Sequence, residues 1–293
     1  MSLLSGNALV TGAGSGIGRQ LSLAYVRAGI QGITLADLNK DAVADTARLI
    51  QTEFPNARVL SVVIDVTDEE SVRAMVDQAV QAFGTLDCGE TPPQHFRHLS
   101  PYKKLTLSVL AANAAGVIVK SREKSAHVPS SEFDRVMSIN ARAVALCMQA
   151  EARAMLKQPR KLTSAYWKDE RRTQVGSIVN FASVCGLQAM PNVMPYVAAK
   201  HAVMGMTRSA AIEHGPEGLR INAVCPGIVD TPFIGDLKAL KGGNEQDPVF
   251  ANPLGRLCYP EEIADAAVFL SSTMSSYVNG VGLVSDGGRS TQF

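Results

Sequence analysis

The stretch Asn7-Ala8-Leu9-Val10-Thr11-Gly12-Ala13-Gly14-Ser15-Gly16-Ile17-Gly18 decides the fold. A short apolar run ends at Thr11, glycines follow at every second position from Gly12 to Gly18, and a helical pattern starts near residue 17. Glycines between a strand and a helix permit a tight turn and a close backbone approach. The helix N-terminus adds unpaired N–H groups and the positive end of a dipole. Such a turn suits a diphosphate. Taken alone it is weak evidence, because glycines also serve as ordinary turn formers.

Outward from this turn, short β-branched runs alternate with longer helical patterns. Strands are predicted at Asn7–Thr11, Gly32–Asp37, Arg58–Val66, Ala111–Ala115, Gly176–Ser183, Leu219–Cys225 and Gly280–Ser285. Helices are predicted near 17–28, 40–53, 68–83, 131–157, 194–214 and 260–271, with Asp68 and Ser131 as capping residues. The expected fold class is α/β. One doubly wound, Rossmann-type domain spans residues 1–293, with a mostly parallel sheet of about seven strands and helices on both faces. No linker or internal repeat divides it.

Hydrophobic residues make up 46% of the chain, enough for a sizeable core, and 28 Lys and Arg against 27 Asp and Glu leave no strong field. Nucleic acid and membrane are therefore not expected partners. A small molecule is. Cys88, Cys147, Cys185, Cys225 and Cys258 are scattered without a CxxC pair, which reads as reduced thiols. Met1 leads directly into a polar, glycine-containing segment, and no run is long enough to span a bilayer. A cytoplasmic protein is expected. His95 and His98 lack a nearby third ligand, so no metal is expected.

The second strand ends in Asp37, the right distance past the glycine turn for a carboxylate to accept hydrogen bonds from the hydroxyls of an adenosine ribose. Asp37 would repel a 2′-phosphate, no basic residue follows at once, and Ser15 rather than a basic residue precedes Gly16. NAD(H) is therefore preferred, with NADP(H) possible. Asp65-Val66, at the end of the third strand, could meet the adenine, whereas Asp68 suits the helix cap better.

Tyr196 and Lys200 lie one turn apart on one helix face. A tyrosine hydroxyl is a poor base at neutral pH, and a nearby ammonium favours its phenolate. Ser183 ends a strand at the carboxyl edge, where ligands of open α/β sheets bind, and its hydroxyl can orient a substrate oxygen. The YxxxK spacing is common on ordinary helices. It gains meaning from Ser183, Asp37 and the glycine turn appearing in order.

Together these residues resemble the short-chain dehydrogenase/reductase family over nearly the whole chain. Its cofactor motif TGxxxGxG is met by Thr11, Gly12, Gly16 and Gly18, and its NAG motif by Asn113-Ala114-Ala115-Gly116. The resemblance implies a catalytic tetrad of Asn140, Ser183, Tyr196 and Lys200, with Asn140 holding a water that relays protons from Lys200. It implies cofactor contacts at Gly12, Ser15, Gly16, Ile17, Gly18, Asp37, Asp65, Val66, Asn113, Tyr196, Lys200, Val229 and Thr231. The implied reaction is hydride transfer between a nicotinamide and a secondary alcohol or ketone, with Tyr196 as proton donor or acceptor. The family also implies a homodimer or homotetramer through the helices near 131–157 and 194–214, where Ala198, Ala199 and Ala202 allow close packing.

Two segments depart from the pattern. The family spacing is restored by joining Cys88 to Ala111, so residues 89–110 are an insertion, either a surface excursion or a translated intron. The excursion at 157–175, with Trp167 and a basic cluster, resembles loops of filamentous-fungal members, many of them in natural-product pathways. Residues 231–257 are the expected substrate lid, and Met190, Met194 and Phe233 are candidates for an apolar pocket. Two rival readings remain: a nucleotide-binding sensor or scaffold, and a non-redox cyclase or isomerase on the same scaffold.

Overall fold

A computed structural model describes residues 3–83, 110–114, 116–120, 122–162, 173–233, 235 and 252–292. The chain alternates β1 (Asn7–Thr11), α1 (Gly16–Ala28), β2 (Gly32–Asp37), α2 (Lys40–Glu53), β3 (Arg58–Val63) and α3 (Glu69–Phe83). It continues through β4 (Leu110–Asn113), α4 (Ser130–Met137) and α5 (Ala143–Met155). A short antiparallel pair, β5 (Lys161–Leu162) with β6 (Thr173–Gln174), precedes β7 (Gly176–Phe181). Then come α6 (Met194–His214), β8 (Leu219–Pro226), α7 (Pro260–Ser271) and β9 (Gly282–Ser285).

Seven parallel strands form one sheet in the order β3-β2-β1-β4-β7-β8-β9. Side chains alternate across it, so β1 sends Ala8 and Val10 into one core and Leu9 into the other. The first core packs β1 against α1, α2 and α7 through Leu21, Ile50 and Ile263; the second packs it against α3, α5 and α6 through Met75, Met155 and Ala211. Helices thus cover both faces, and β1, β2, β7 and β8 are buried on both sides, while the edge strands β3 and β9 stay partly exposed. The chain starts at β1 in the middle, runs outward to β3, and returns on the other flank of β1 as β4. That reversal opens a crevice at the carboxyl ends of β1 and β4.

Local chemistry moves several predicted boundaries. β3 stops at Val63 because Asp65 Oδ1 accepts from the Thr67 amide at 2.8 Å and its hydroxyl at 2.7 Å, folding the chain into a turn. Asp68 caps α3 by accepting from the Ser71 amide at 3.2 Å. Ser131 is not a cap: α4 begins one residue earlier, behind Pro129. The long helix expected at 131–157 is broken by a π turn at Ser138–Arg142. Residues 89–109 of the expected insertion, 163–172 of the basic excursion, and 234 and 236–251 of the expected lid lie outside the described residues, as do His95, His98, Trp167 and Cys88.

Candidate active site

A cavity of about 580 Å³ lies at the carboxyl edge of the sheet, reaching from Gly12 and Asp37 to Ser183, Tyr196 and Lys200. At one end the glycine turn shapes its floor. Gly12 and Gly16 have φ of 67° and 49°, which side chains disfavour, and a Cβ on Gly18 would run into the Gly12 carbonyl. Ser15 occupies the N-cap of α1 without a capping hydrogen bond, and the first turn of α1 holds no acidic residue. The positive end of the helix therefore faces the cavity uncompensated. Arg19 is turned beneath the turn, donating to the Gly14 carbonyl and to Thr46.

Asp37 stands at the tip of β2, where its two oxygens accept from the amides of Gly14 and Asn39, each at 3.0 Å. Each oxygen keeps further acceptor capacity toward the cavity. Asp65 and Val66 line the wall beyond, and the Thr67 hydroxyl holds the Asp65 carboxyl below its usual range. The glycine turn, uncapped helix and carboxylate together fit a dinucleotide. When bound, that group supplies or takes up a hydride at its nicotinamide ring.

At the other end, Ser183 follows β7 by two residues, and its Oγ accepts from the Cys185 amide at 3.1 Å. That contact starts a single turn, Val184–Gly186, pressed onto α6: a Cβ on Gly186 would stand 2.6 Å from the Lys200 carbonyl oxygen. Helix α6 carries Tyr196 and Lys200 into the same corner. Lys200 is 4% exposed; its Nζ donates to the Phe181 carbonyl at 2.8 Å and lies 5.6 Å from the centre of the Tyr196 ring. Burial lowers Lys200 to about 8. Burial also raises the Tyr196 phenol, as does the neighbouring Cys185, while a hydrogen bond with Ser183 works the other way. The phenol thus keeps its proton until positive charge gathers beside it.

Two residues of the expected catalytic and cofactor-binding set, Asn140 and Asn113, are absent from the cavity lining. Asn140, fully buried in the π turn, accepts from the Val117 amide at 2.8 Å and donates to the Val117 carbonyl at 2.6 Å. Its side chain is thereby committed to positioning the loop after β4. Arg135 supports the same loop through the Ile118 carbonyl, and Glu132 through the Lys120 amide. A Cβ on Gly116 would stand 3.0 Å from Asn140 Oδ1 and 3.9 Å from Lys200 Nζ, so glycine keeps the space between them open. Asn113 is 2% exposed and turned inward, donating to Glu151 and Asn180, each at 3.1 Å. The neighbouring Ala114 and Gly116 line the cavity.

Val229 and Thr231 line the cavity as expected, with Met190 and Phe233, whereas Met194 does not. The Phe233 ring lies 6.3 Å from that of Tyr196. Ala199 is spent on the chain's own core. Among the described residues no cluster could hold a metal ion, and no helix is long and apolar enough to cross a membrane. Sequence reasoning missed Cys185, Arg122 and Arg289, which also line the cavity. All three follow the carboxyl end of a strand, and applying that rule to β4 and β9 as well as β7 would have found them.

Residues 6–88 match the family model described as short chain dehydrogenase, and residues 105–290 match that described as enoyl-(acyl carrier protein) reductase. The chain is 38% identical over 296 residues to the short-chain dehydrogenase anuF of Penicillium roqueforti, covering 99% of this chain and 97% of that protein. The chain belongs to the short-chain dehydrogenase family. This short-chain dehydrogenase is also 37% identical to fogB of Aspergillus ruber, covering 97% of each chain. The solved structure of levodione reductase superposes with a TM-score of 0.80 at 30% identity, covering 98% of both chains. A solved Agrobacterium tumefaciens structure with bound NADP has a TM-score of 0.74 at 27% identity, covering 99% of this chain and 98% of that one. The protein is thus an oxidoreductase of a family that uses NAD(H) or NADP(H).

Proposed function

We propose that this short-chain dehydrogenase interconverts a secondary alcohol and a ketone, with NAD(H) preferred and NADP(H) usable. The observation that carries the reading is the placement of Tyr196, Lys200 and Ser183 at one end of a cavity whose other end holds the glycine turn and Asp37. Tyr196 gives its proton to the carbonyl oxygen in reduction and takes it back in oxidation. Ser183 holds that oxygen, and Lys200 favours the phenolate by its charge. The π turn carrying Asn140 and the gap left by Gly116 support a proton path from Lys200.

Asp37 supports the nucleotide preference, since its carboxylate would oppose a 2′-phosphate. The fungal relatives and the resemblance of residues 157–175 to fungal loops support a role in secondary metabolite biosynthesis. We also assign residues 1–293 to one domain, in a cytoplasmic homodimer or homotetramer. Titration with NADH and NADPH, followed by a carbonyl panel read by nicotinamide absorbance, tests this against a nucleotide sensor or a non-redox isomerase. Tyr196→Phe should lower turnover by about 10²–10⁴-fold and leave nucleotide binding close to intact. Substantial remaining turnover refutes the assignment of the proton donor.

A further inference from the structure

The π turn Ser138–Arg142 sends side chains toward both ends of the cavity, and only the one aimed at the catalytic end has so far been given a task. Asn140 turns to Val117 in the loop after β4. Ile139 lines the cavity wall. Arg142 is exposed and, two residues beyond Asn140, points to nearly the opposite side of the helix, where its Nη1 donates to the Thr67 carbonyl at 2.6 Å. Thr67 closes the turn after β3, and Asp65, Val66 and Thr67 all line the nucleotide end of the cavity, whereas Arg142 does not. Within that turn, Asp65 Oδ1 accepts from the Thr67 amide and hydroxyl. The bond from Arg142 joins residues 75 apart in sequence, so it belongs to the tertiary fold and not to the turn's own geometry. It has something to support: β3 is an edge strand, paired with β2 alone, and the wall it leads into is held by the sheet from one flank only. A charged donor makes the stronger kind of hydrogen bond to such a carbonyl. One π turn therefore braces the catalytic loop through Asn140 and the nucleotide wall through Arg142, in keeping with the recurrence of such turns at functional sites.

We propose that Arg142 is a positioning residue for the nucleotide: it holds the Asp65–Thr67 turn in the shape that receives the adenosine half, without touching the dinucleotide itself. This rests on the dinucleotide reading of that end of the cavity. A wall that the ligand must order on arrival costs affinity, and a wall already fixed does not. Arg142 thus acts on the adenosine half, while the nicotinamide half is served by the catalytic loop and its own support from Asn140.

The test compares wild type, Arg142→Met and Arg142→Lys by calorimetric binding of NADH, 5′-AMP and reduced nicotinamide mononucleotide. Arg142→Met should weaken NADH and 5′-AMP by about 5–20-fold and leave the reduced mononucleotide within about twofold of wild type. Arg142→Lys keeps a cation able to reach the Thr67 carbonyl and should recover most of the loss. Unchanged 5′-AMP affinity in Arg142→Met overturns the proposal. So does an equal loss for 5′-AMP and the reduced mononucleotide, which marks a general loosening of the fold and would show as a lower Tm in matched thermal scans. A wild-type protein that binds none of the three refutes the dinucleotide reading, and the proposal falls with it. Wild-type binding that Arg142→Met leaves intact refutes the proposal alone.

Discussion

Asn113 donates its side-chain amide to the buried carboxyl of Glu151 at 3.1 Å, which ties β4 to α5 beneath the cavity. Neither Glu151 Oε1 nor Asn113 Oδ1 has a hydrogen-bond partner. Asn180, Tyr25 and Cys147 also reach this pair, from β7, α1 and α5. Burial raises Glu151 to about 7, against the pull of the Asn113 hydrogen bond. A proton on Glu151 converts one of two orphaned acceptors into a donor within the same pair, as a carboxylic acid and an amide pair side by side.

That pair makes stability depend on pH. The folded carboxyl binds its proton more tightly than the unfolded one, so its contribution is complete below the ordinary glutamate range and is lost as pH rises through about 7. Across that window the loss is about 3 kcal/mol. Glu151→Gln keeps the shape and the donor, and should unfold at higher denaturant than wild type at pH 8, with the advantage shrinking as pH falls and gone below about pH 4. Parallel pH profiles for the two proteins would contradict a neutral Glu151.

Lys200 is a buried cation whose value lies in chemistry rather than stability. Lys200→Met should reduce kcat by about 10²-fold or more, while Tm stays level or rises because a desolvated charge has been removed. Matched calorimetric scans and initial rates check both halves, and a collapse of the fold would place Lys200 in the structural framework instead.

Gly116→Ala puts a methyl group against Asn140 Oδ1 and close to Lys200 Nζ. The neighbours must give by a few tenths of an ångström, and the open space between them narrows. The expected result is a kcat lower by about tenfold at nearly unchanged nucleotide affinity, read by steady-state kinetics and fluorescence titration. Unaltered kcat would show that the space carries nothing.

Asp37→Asn removes charge at the tip of β2 while keeping a hydrogen-bonding side chain. The kcat/KM ratio of NADPH over NADH should rise about 10–100-fold. A ratio that does not move would assign nucleotide choice to other residues.

Residues 89–104 fall between the two family matches. A chain with Cys88 joined to Ala111 restores the short connection usual before a parallel strand. It should fold with a Tm no lower than that of the full chain and still bind nucleotide; insoluble or unfolded product would mean that the insertion supports the fold.

Most of the sheet was readable because strands buried on both faces are apolar runs with sharp ends, as at Asn7–Thr11 and Gly32–Asp37. The π turn was not, since the side chains at Ser138–Arg142 continue an ordinary helical pattern and only packing against the loop at Val117 selects the wider turn. Tyr196, Lys200, Ser183 and Asp37 were found because each sits where a strand tip or helix start leaves it no other direction. The inward direction of the Asn113 side chain follows from strand alternation, which the family motif does not convey. Ala111 packs into the core beneath α3, α5 and α6, so the residue two further along points the same way, at Glu151.

The strand order also constrains how the chain is built. No two neighbours in the seven-stranded sheet form a hairpin, and β4 must find β1 on one flank and β7 on the other. During synthesis the amino-terminal three strands can pair among themselves, yet the middle of the molecule has an open edge until Phe181 has left the ribosome. Slow, non-local closure of that edge sets the folding rate and is the stage at which the nascent chain is most exposed to aggregation and to chaperones.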